Sequence, residues 1–268
     1  MPERTPRNLR PLTEPDEPIL MQVTGDMASF DGSVGADVIR SHALFLSRLA
    51  RAGTWFSSDE RIAIAAETRI AAACTFCNLR KEALSPHAVK GEHSTAPGSD
   101  ILAPELIDRI HLVISDPLRV TKTAIDSLGE SELKVAHYVE ALGITVIMRS
   151  IDQACLGMGV PQHALPAPLA GEPSQEAPPG LGDIGAFLPM ISTEPPPPPN
   201  EDLWGNETAN VIRALSLVPD AVRDLKLLAE AQYLPLDDYE DLSQQRTLSR
   251  PQIELIGARV SAINECFY

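Results

Sequence analysis

The chain has 268 residues, with 22 Lys and Arg against 37 Asp and Glu, for a net charge of −15. That acidic balance argues against a nucleic-acid or anionic-membrane surface, because either needs a basic footprint. No apolar run approaches the roughly 20 residues of a membrane span, and the first residues lack the apolar core of a secretory signal, so the expected address is cytoplasmic.

Hydrophobic residues make up 44% of the chain and aromatics only 4%. A core rich in Ala, Leu and Ile favours helices packed on helices, and the expected fold class is all-α. Residues 1–35, rich in Pro, Glu, Asp and Arg with one apolar patch at 19–23, read as an extended N-terminal arm. Residues 36–52 show helical periodicity through Val38, Ile39, Leu44, Leu46 and Leu49, with Gly53 as the stop.

The stretch 57–93 carries the chemistry. Ser57 and Glu60 form a capping box, and an Ala-rich run of high helix propensity follows. Near its far end stands Cys74-Thr-Phe-Cys77. On one continuous helix, Glu60, Glu67, Cys74 and Lys81 share a stripe, with Cys77 on an adjoining part of that face. Two thiols one turn apart can close a disulfide. Thiolates form readily beside cations, and Arg80 and Lys81 lie within helical reach of Cys77, while Glu67 is placed to act as base or counter-ion.

Residues 85–104, with Pro86, His87, Gly91, His93, Pro97 and Gly98, read as a loop directly after the thiols. His93 is a candidate general acid there. Arg80, Lys81, His87, Lys90 and His93 together are candidates to bind an anionic substrate. A zinc alternative uses Cys74, Cys77, His87 and His93, whose donor types suit that metal; haem is the other cofactor considered, and the leading reading needs neither. Cys155 and Cys266 are read as small buried hydrophobes. His42 is read as a helix-surface residue, and His111, His137 and His163 are given no role.

Further helices are expected at 104–115, 117–128 and 130–156, the last long and apolar. Residues 158–205 form a Pro-rich crossover with an apolar middle, LGDIGAFLPMI, expected to pack over the molecule. Helices return at 206–217, 219–234 and 249–264, the last with Pro251 in its first turn. The boundaries are thus 1–35, 36–157, 158–205 and 206–268.

LSRPQIELIGARVSAINECFY aligns without gaps on FSSDERIAIAAETRIAAACTFC, placing Ser249 on Ser57 and Cys266 on Cys74. This implies two fused helical repeats, the second kept as a helix but degenerate at the thiol site. At these residues the chain resembles the alkyl hydroperoxidase D-like (AhpD-like)/carboxymuconolactone decarboxylase-like family. The resemblance implies a helical core packed like a dimer and further assembly into a homo-oligomer; the expected partners are a small-molecule substrate and a thiol-reductant protein. In the peroxidase branch it implies that Cys77 attacks a peroxide and Cys74 resolves it as a disulfide. That branch also has a Glu twelve residues before the first Cys, a His inside the motif and a His four residues after it. Here those positions hold Ile62, Phe76 and Lys81.

The functional expectation is a thiol-dependent oxidoreductase using Cys77, Cys74, Glu67 and His93, with Arg80, Lys81 and His87 binding substrate. The alternatives are a metal- or haem-assisted enzyme using the same loop, and a non-catalytic interaction protein on a degenerate scaffold.

Overall fold

The computed structural model describes residues 12–130, 134–192, 195–204, 209–234, 247–264 and Cys266. It is predominantly helical: α1 (Glu17–Met27), α2 (Ala36–Leu49), α3 (Ser58–Ala71), α4 (Thr75–Glu82), α5 (Pro104–Ser115), α6 (Lys122–Asp126), α7 (Val135–Met158), α8 (Asn210–Arg213), α9 (Pro219–Gln232) and α10 (Arg250–Ile263). No single described helix is long and apolar enough to cross a membrane.

One hydrophobic core runs through both halves, built from Phe45, Leu46 and Leu49 of α2, Ile64 of α3, Leu106 and Ile110 of α5, Ile144, Ile147 and Ile151 of α7, and Val222 of α9. Helix α7 is its axis, with α3, α5 and α9 packed around it. Polar groups fix the α3–α7 register: Arg61 pairs with Glu140, Thr68 Oγ1 meets Thr145 Oγ1 at 3.3 Å, and Arg69 forks onto Asp152 at 2.9 and 3.0 Å. The partners climb both helices in the same order, so the two run in the same direction. Arg61 and Glu140 are both buried, so each charge depends on the other.

Residues 17–27 are helical where an extended arm is expected, because Val23 and Met27 bury fully against α2. Gly53 is not the helix stop, since α2 already ends at Leu49. It is small because a Cβ there would collide with the Arg61–Glu140 pair. The expected helix at 117–128 is a 3-10 turn, the five-residue α6 and a second 3-10 turn. Gly159 ends α7 in the left-handed conformation, with the Val160 N–H bonded back to the Cys155 carbonyl.

The apolar middle of the crossover holds a short antiparallel pair, β1 (Leu181–Gly182) and β2 (Met190–Ile191). Met190 and Ile191 are fully buried. The Ile191 N–H donates to Ser216 Oγ at 3.0 Å, and Arg213 donates to the Ile191 carbonyl at 2.7 Å. Helix α10 begins with a second capping box, Ser249 with Gln252, and like α3 has 14 residues. Its Leu255, Ile256, Val260 and Ile263 are exposed.

Candidate active site

The Ala-rich run does not continue into the thiols. Helix α3 closes at Ala71 with 3-10-type bonds, the Ala73 N–H to the Ile70 carbonyl and the Cys74 N–H to the Ala71 carbonyl. The chain then bends by 56° into α4. Cys74 is thereby the N-cap of α4, in extended conformation, and Cys77 lies in its first turn. The thiols therefore sit at a helix N-terminus, where amide N–H groups and the helix dipole stabilise a thiolate.

Both sulfurs are inside, Cys74 0% and Cys77 4% exposed. Burial alone pushes the Cys74 thiol up, yet the N–H groups of Cys77 and Ser94, with help from His93, bring it down to about 7. Cys77 goes the other way. Burial and the neighbouring Cys74 sulfur push it up to about 12, against smaller pulls from Ser115 and Arg80. Of the two thiols, Cys74 is therefore the one that ionises first, and it is partly thiolate at neutral pH.

Two imidazoles converge on these sulfurs. His93, from the loop after α4, places Nδ1 3.3 Å from Cys77 Sγ and 3.9 Å from Cys74 Sγ. His111, from α5, places Nδ1 3.2 Å from Cys77 Sγ. The far nitrogen of each ring meets a carboxylate: His111 Nε2 to Glu67 at 2.7 Å and His93 Nε2 to Asp108 at 3.1 Å. A carboxylate on Nε2 assigns the ring proton of His111 to that nitrogen and leaves its Nδ1 lone pair facing Cys77, a base held ready for an S–H. His93 Nδ1 lies within reach of both sulfurs, and it lowers Cys74 by donating to the thiolate.

The carboxylates are themselves fixed. Glu67 is fully buried and also accepts from the Ala96 N–H at 2.8 Å and Ser99 Oγ at 2.5 Å. Burial opposes its ionisation, but the bonds from His111, Ser99 and Ala96 outweigh burial and hold it below the ordinary carboxylate value. Asp108 is likewise lowered: burial opposes ionisation, and Arg80 at 2.9 Å together with His93 overcomes it. The loop lies tightly on α4, since a Cβ on Gly91 would come within 2.7 Å of the Phe76 ring.

The structure thus brings together Cys74, Cys77, Glu67 and His93, with Glu67 acting on sulfur only through His111. It does not assemble Arg80, Lys81 and His87 into an anion pocket. Arg80 is committed to Asp108 and to the face of Phe76, while Lys81 and His87 lie on the surface, His87 in a 3-10 turn. In the zinc alternative, His111 replaces His87. His111 and Asp108 were not selected from the sequence, although Asp108-Arg-Ile-His111 at helical spacing places both on one side of α5. His42 is fully buried, not on a helix surface, and Cys266 is exposed, not buried.

Cys74, Cys77, His93 and His111 place one donor atom each within 4.8 Å of one another. A tetrahedral zinc site has N–S edges of about 3.6 Å from ordinary bond lengths, and the 3.2, 3.3 and 3.9 Å separations straddle that value. The donor set fits either a proton-relayed dithiol or a metal. No protein-family model, curated protein or solved structure matches this chain.

Proposed function

We propose that the chain is a dithiol–disulfide oxidoreductase of AhpD-like type, acting on a hydroperoxide or on a disulfide of a small molecule or protein. The observation that carries this reading is the pair of carboxylate-backed imidazoles whose Nδ1 atoms face the Cys77 sulfur beside a second, more acidic thiol. Ile62, Phe76 and Lys81 stand where the family's relay residues would be, and Glu67, His111 and His93 supply the same chemical groups from other positions.

With a hydroperoxide, the Cys74 thiolate attacks the terminal oxygen and the O–O bond breaks. This gives a sulfenic acid on Cys74 and, after protonation, an alcohol. His111, with Glu67 behind it, takes the Cys77 proton; the Cys77 sulfur attacks the sulfenic sulfur, the disulfide forms and water leaves with that proton. Two thiols are oxidised and one peroxide is reduced. An external thiol reductant restores the pair. These roles are the reverse of those the resemblance implies, because Cys74 is the more acidic of the two thiols. Access to it requires the 85–103 loop to move, since both sulfurs are covered.

The test is peroxide and disulfide turnover with Cys74→Ser and Cys77→Ser. Both lose turnover, and Cys77→Ser accumulates a sulfenic acid or mixed disulfide on Cys74. Turnover that survives either change overturns the reading.

A second reading is zinc ligation by Cys74, Cys77, His93 and His111, favoured because each imidazole has the carboxylate partner usual for metal-bound histidine. One zinc per chain at these thiols, with no disulfide formed under oxidant, selects it. Haem is not supported, because four donors this close leave no space for a porphyrin among them. The paired capping boxes of α3 and α10 support the two-repeat reading, and the exposed apolar residues of α10 support assembly into an oligomer.

A further inference from the structure

A second cluster lies in the body of the fold, away from the dithiol. His42 of α2, Cys155 of α7 and His163 of the segment after α7 are each 0% exposed. Each offers one donor atom within 4.8 Å of the other two. His163 Nε2 is 3.1 Å from His42 Nδ1 and 3.6 Å from Cys155 Sγ. Behind these three sit further polar groups. Asp26 of α1 meets His163 Nδ1 at 2.8 Å, and Gln232 of α9 meets His42 Nε2 at 2.8 Å while accepting from Ser150 Oγ at 2.7 Å.

The cluster holds one thiol, so it cannot run the two-thiol cycle of the first site. Thiol, imidazole and carboxylate also stand in the order of a nucleophilic triad, Cys155–His163–Asp26. Its thiol is sealed, however, and His42 occupies the space a substrate would need beside His163 Nε2.

We infer that His42, Cys155 and His163 form a buried binding site for a zinc-class divalent cation, with Asp26 and Gln232 orienting the two imidazoles. The Asp26 carboxylate fixes the His163 proton on Nδ1 and turns the Nε2 lone pair inward, as a carboxylate behind a metal-bound histidine does. Zinc bond lengths of about 2.0–2.1 Å to nitrogen and 2.3 Å to sulfur give tetrahedral edges of about 3.3 Å between nitrogens and about 3.6 Å between nitrogen and sulfur. The observed edges of 3.1 and 3.6 Å match that frame closely.

The proton count closes. Binding Zn²⁺ releases the Cys155 proton, and His42 moves its own proton from Nδ1 to Nε2. Gln232 then presents its carbonyl to that proton and its amide to Ser150 Oγ, an exchange of ends that a side-chain amide allows. A thiolate and the Asp26 carboxylate balance the ion's two charges. Three protein donors leave a fourth position to a water. The donors and their partners come from α1, α2, α7, the crossover and α9, so the ion would tie both halves of the chain together.

The test uses full-length protein in which Cys74→Ser and Cys77→Ser remove the first thiol pair. After equilibration with Zn²⁺ alone and gel filtration, we expect one zinc per chain and a raised melting temperature, both lost in added Cys155→Ser. No retained zinc, or zinc retained equally after Cys155→Ser, overturns the inference. Should Cys155→Ser fail to fold, two further measurements decide. Cobalt in the parent variant should show a thiolate-to-metal charge-transfer band. In the unaltered chain, Zn²⁺ should shield Cys155 but not the exposed Cys266 from alkylation under mild denaturation. Absence of the band, or equal labelling of the two cysteines, also overturns it.

Discussion

Glu67→Gln isolates what the buried carboxylate does. In the native site one oxygen receives the His111 Nε2 proton at 2.7 Å, and the other receives the Ala96 N–H at 2.8 Å and the Ser99 hydroxyl at 2.5 Å. An amide of the same shape has one acceptor end. If it faces His111, its NH₂ meets the Ala96 N–H, and two donors oppose each other in a site with no solvent. If it is turned round, the NH₂ meets His111, the ring proton moves to Nδ1, and the base facing Cys77 is lost. Either arrangement exchanges a charge-assisted bond of about 1.5–3 kcal/mol for a buried unsatisfied group costing about 1–3 kcal/mol. A net loss of about 3 kcal/mol is expected, or about 6–12 °C in melting temperature for a chain of this size.

The pH dependence has a definite sign. A carboxyl held below its ordinary 4.5 stabilises the fold above that pH, and this contribution drains away as pH falls through the lowered folded value. The gap between wild type and Glu67→Gln should therefore be full at pH 7 and narrow in acid. The assay is thermal unfolding by circular dichroism from pH 3 to 8, alongside the rate of disulfide closure between Cys74 and Cys77, which should fall by at least tenfold. A variant as stable as wild type at pH 7, closing its disulfide at the same rate, would refute the claim that Glu67 acts through His111.

The rate of Cys74 alkylation, once corrected for burial, should rise through a midpoint near 7, and Cys77→Ala should move that midpoint upward by removing a donor. A midpoint at the ordinary thiol value of about 8.5 in both proteins contradicts the helix-terminus account. Arg61→Ala takes the guanidinium from the buried Glu140 and leaves it only backbone N–H partners such as that of Trp55, and chemical denaturation should show a loss of about 3–5 kcal/mol; a loss under 1 kcal/mol rules out that pair as the α3–α7 tie. Gly143→Ala would ordinarily help a helix, but its Cβ would come within 2.7 Å of the Ala221 Cβ. It should cost about 1–3 kcal/mol, and Ala221→Gly in the same chain should restore most of it. Lack of rescue means that α7 and α9 do not meet there.

Local chemistry in the sequence determined the helical class, the Ser57–Glu60 capping box, the start of α5 at Pro104 and the closeness of Cys74 to Cys77. Each of these depends on groups within one or two helical turns. The break between Ala71 and Cys74 depends on tertiary packing, because Ala72 and Ala73 are strong helix formers and nothing in the string stops them. That bend moves the thiols from the middle of a rod to a helix N-terminus, with the change in acidity that follows.

The imidazoles were legible only as residue types. His93 belongs to a loop whose course is set by the Ala96 N–H and Ser99 reaching Glu67, and by Gly91 passing close over Phe76. His111 enters because α5 packs on α3. His42, Cys155 and His163 look unrelated along the chain, 121 positions separating the two histidines. They meet because α2, α7 and the crossover close on the same core, and a buried polar group in that core must find another to bond. Sequence periodicity shows which face of a helix turns inward; which partner it finds there is decided only when the helices are packed together.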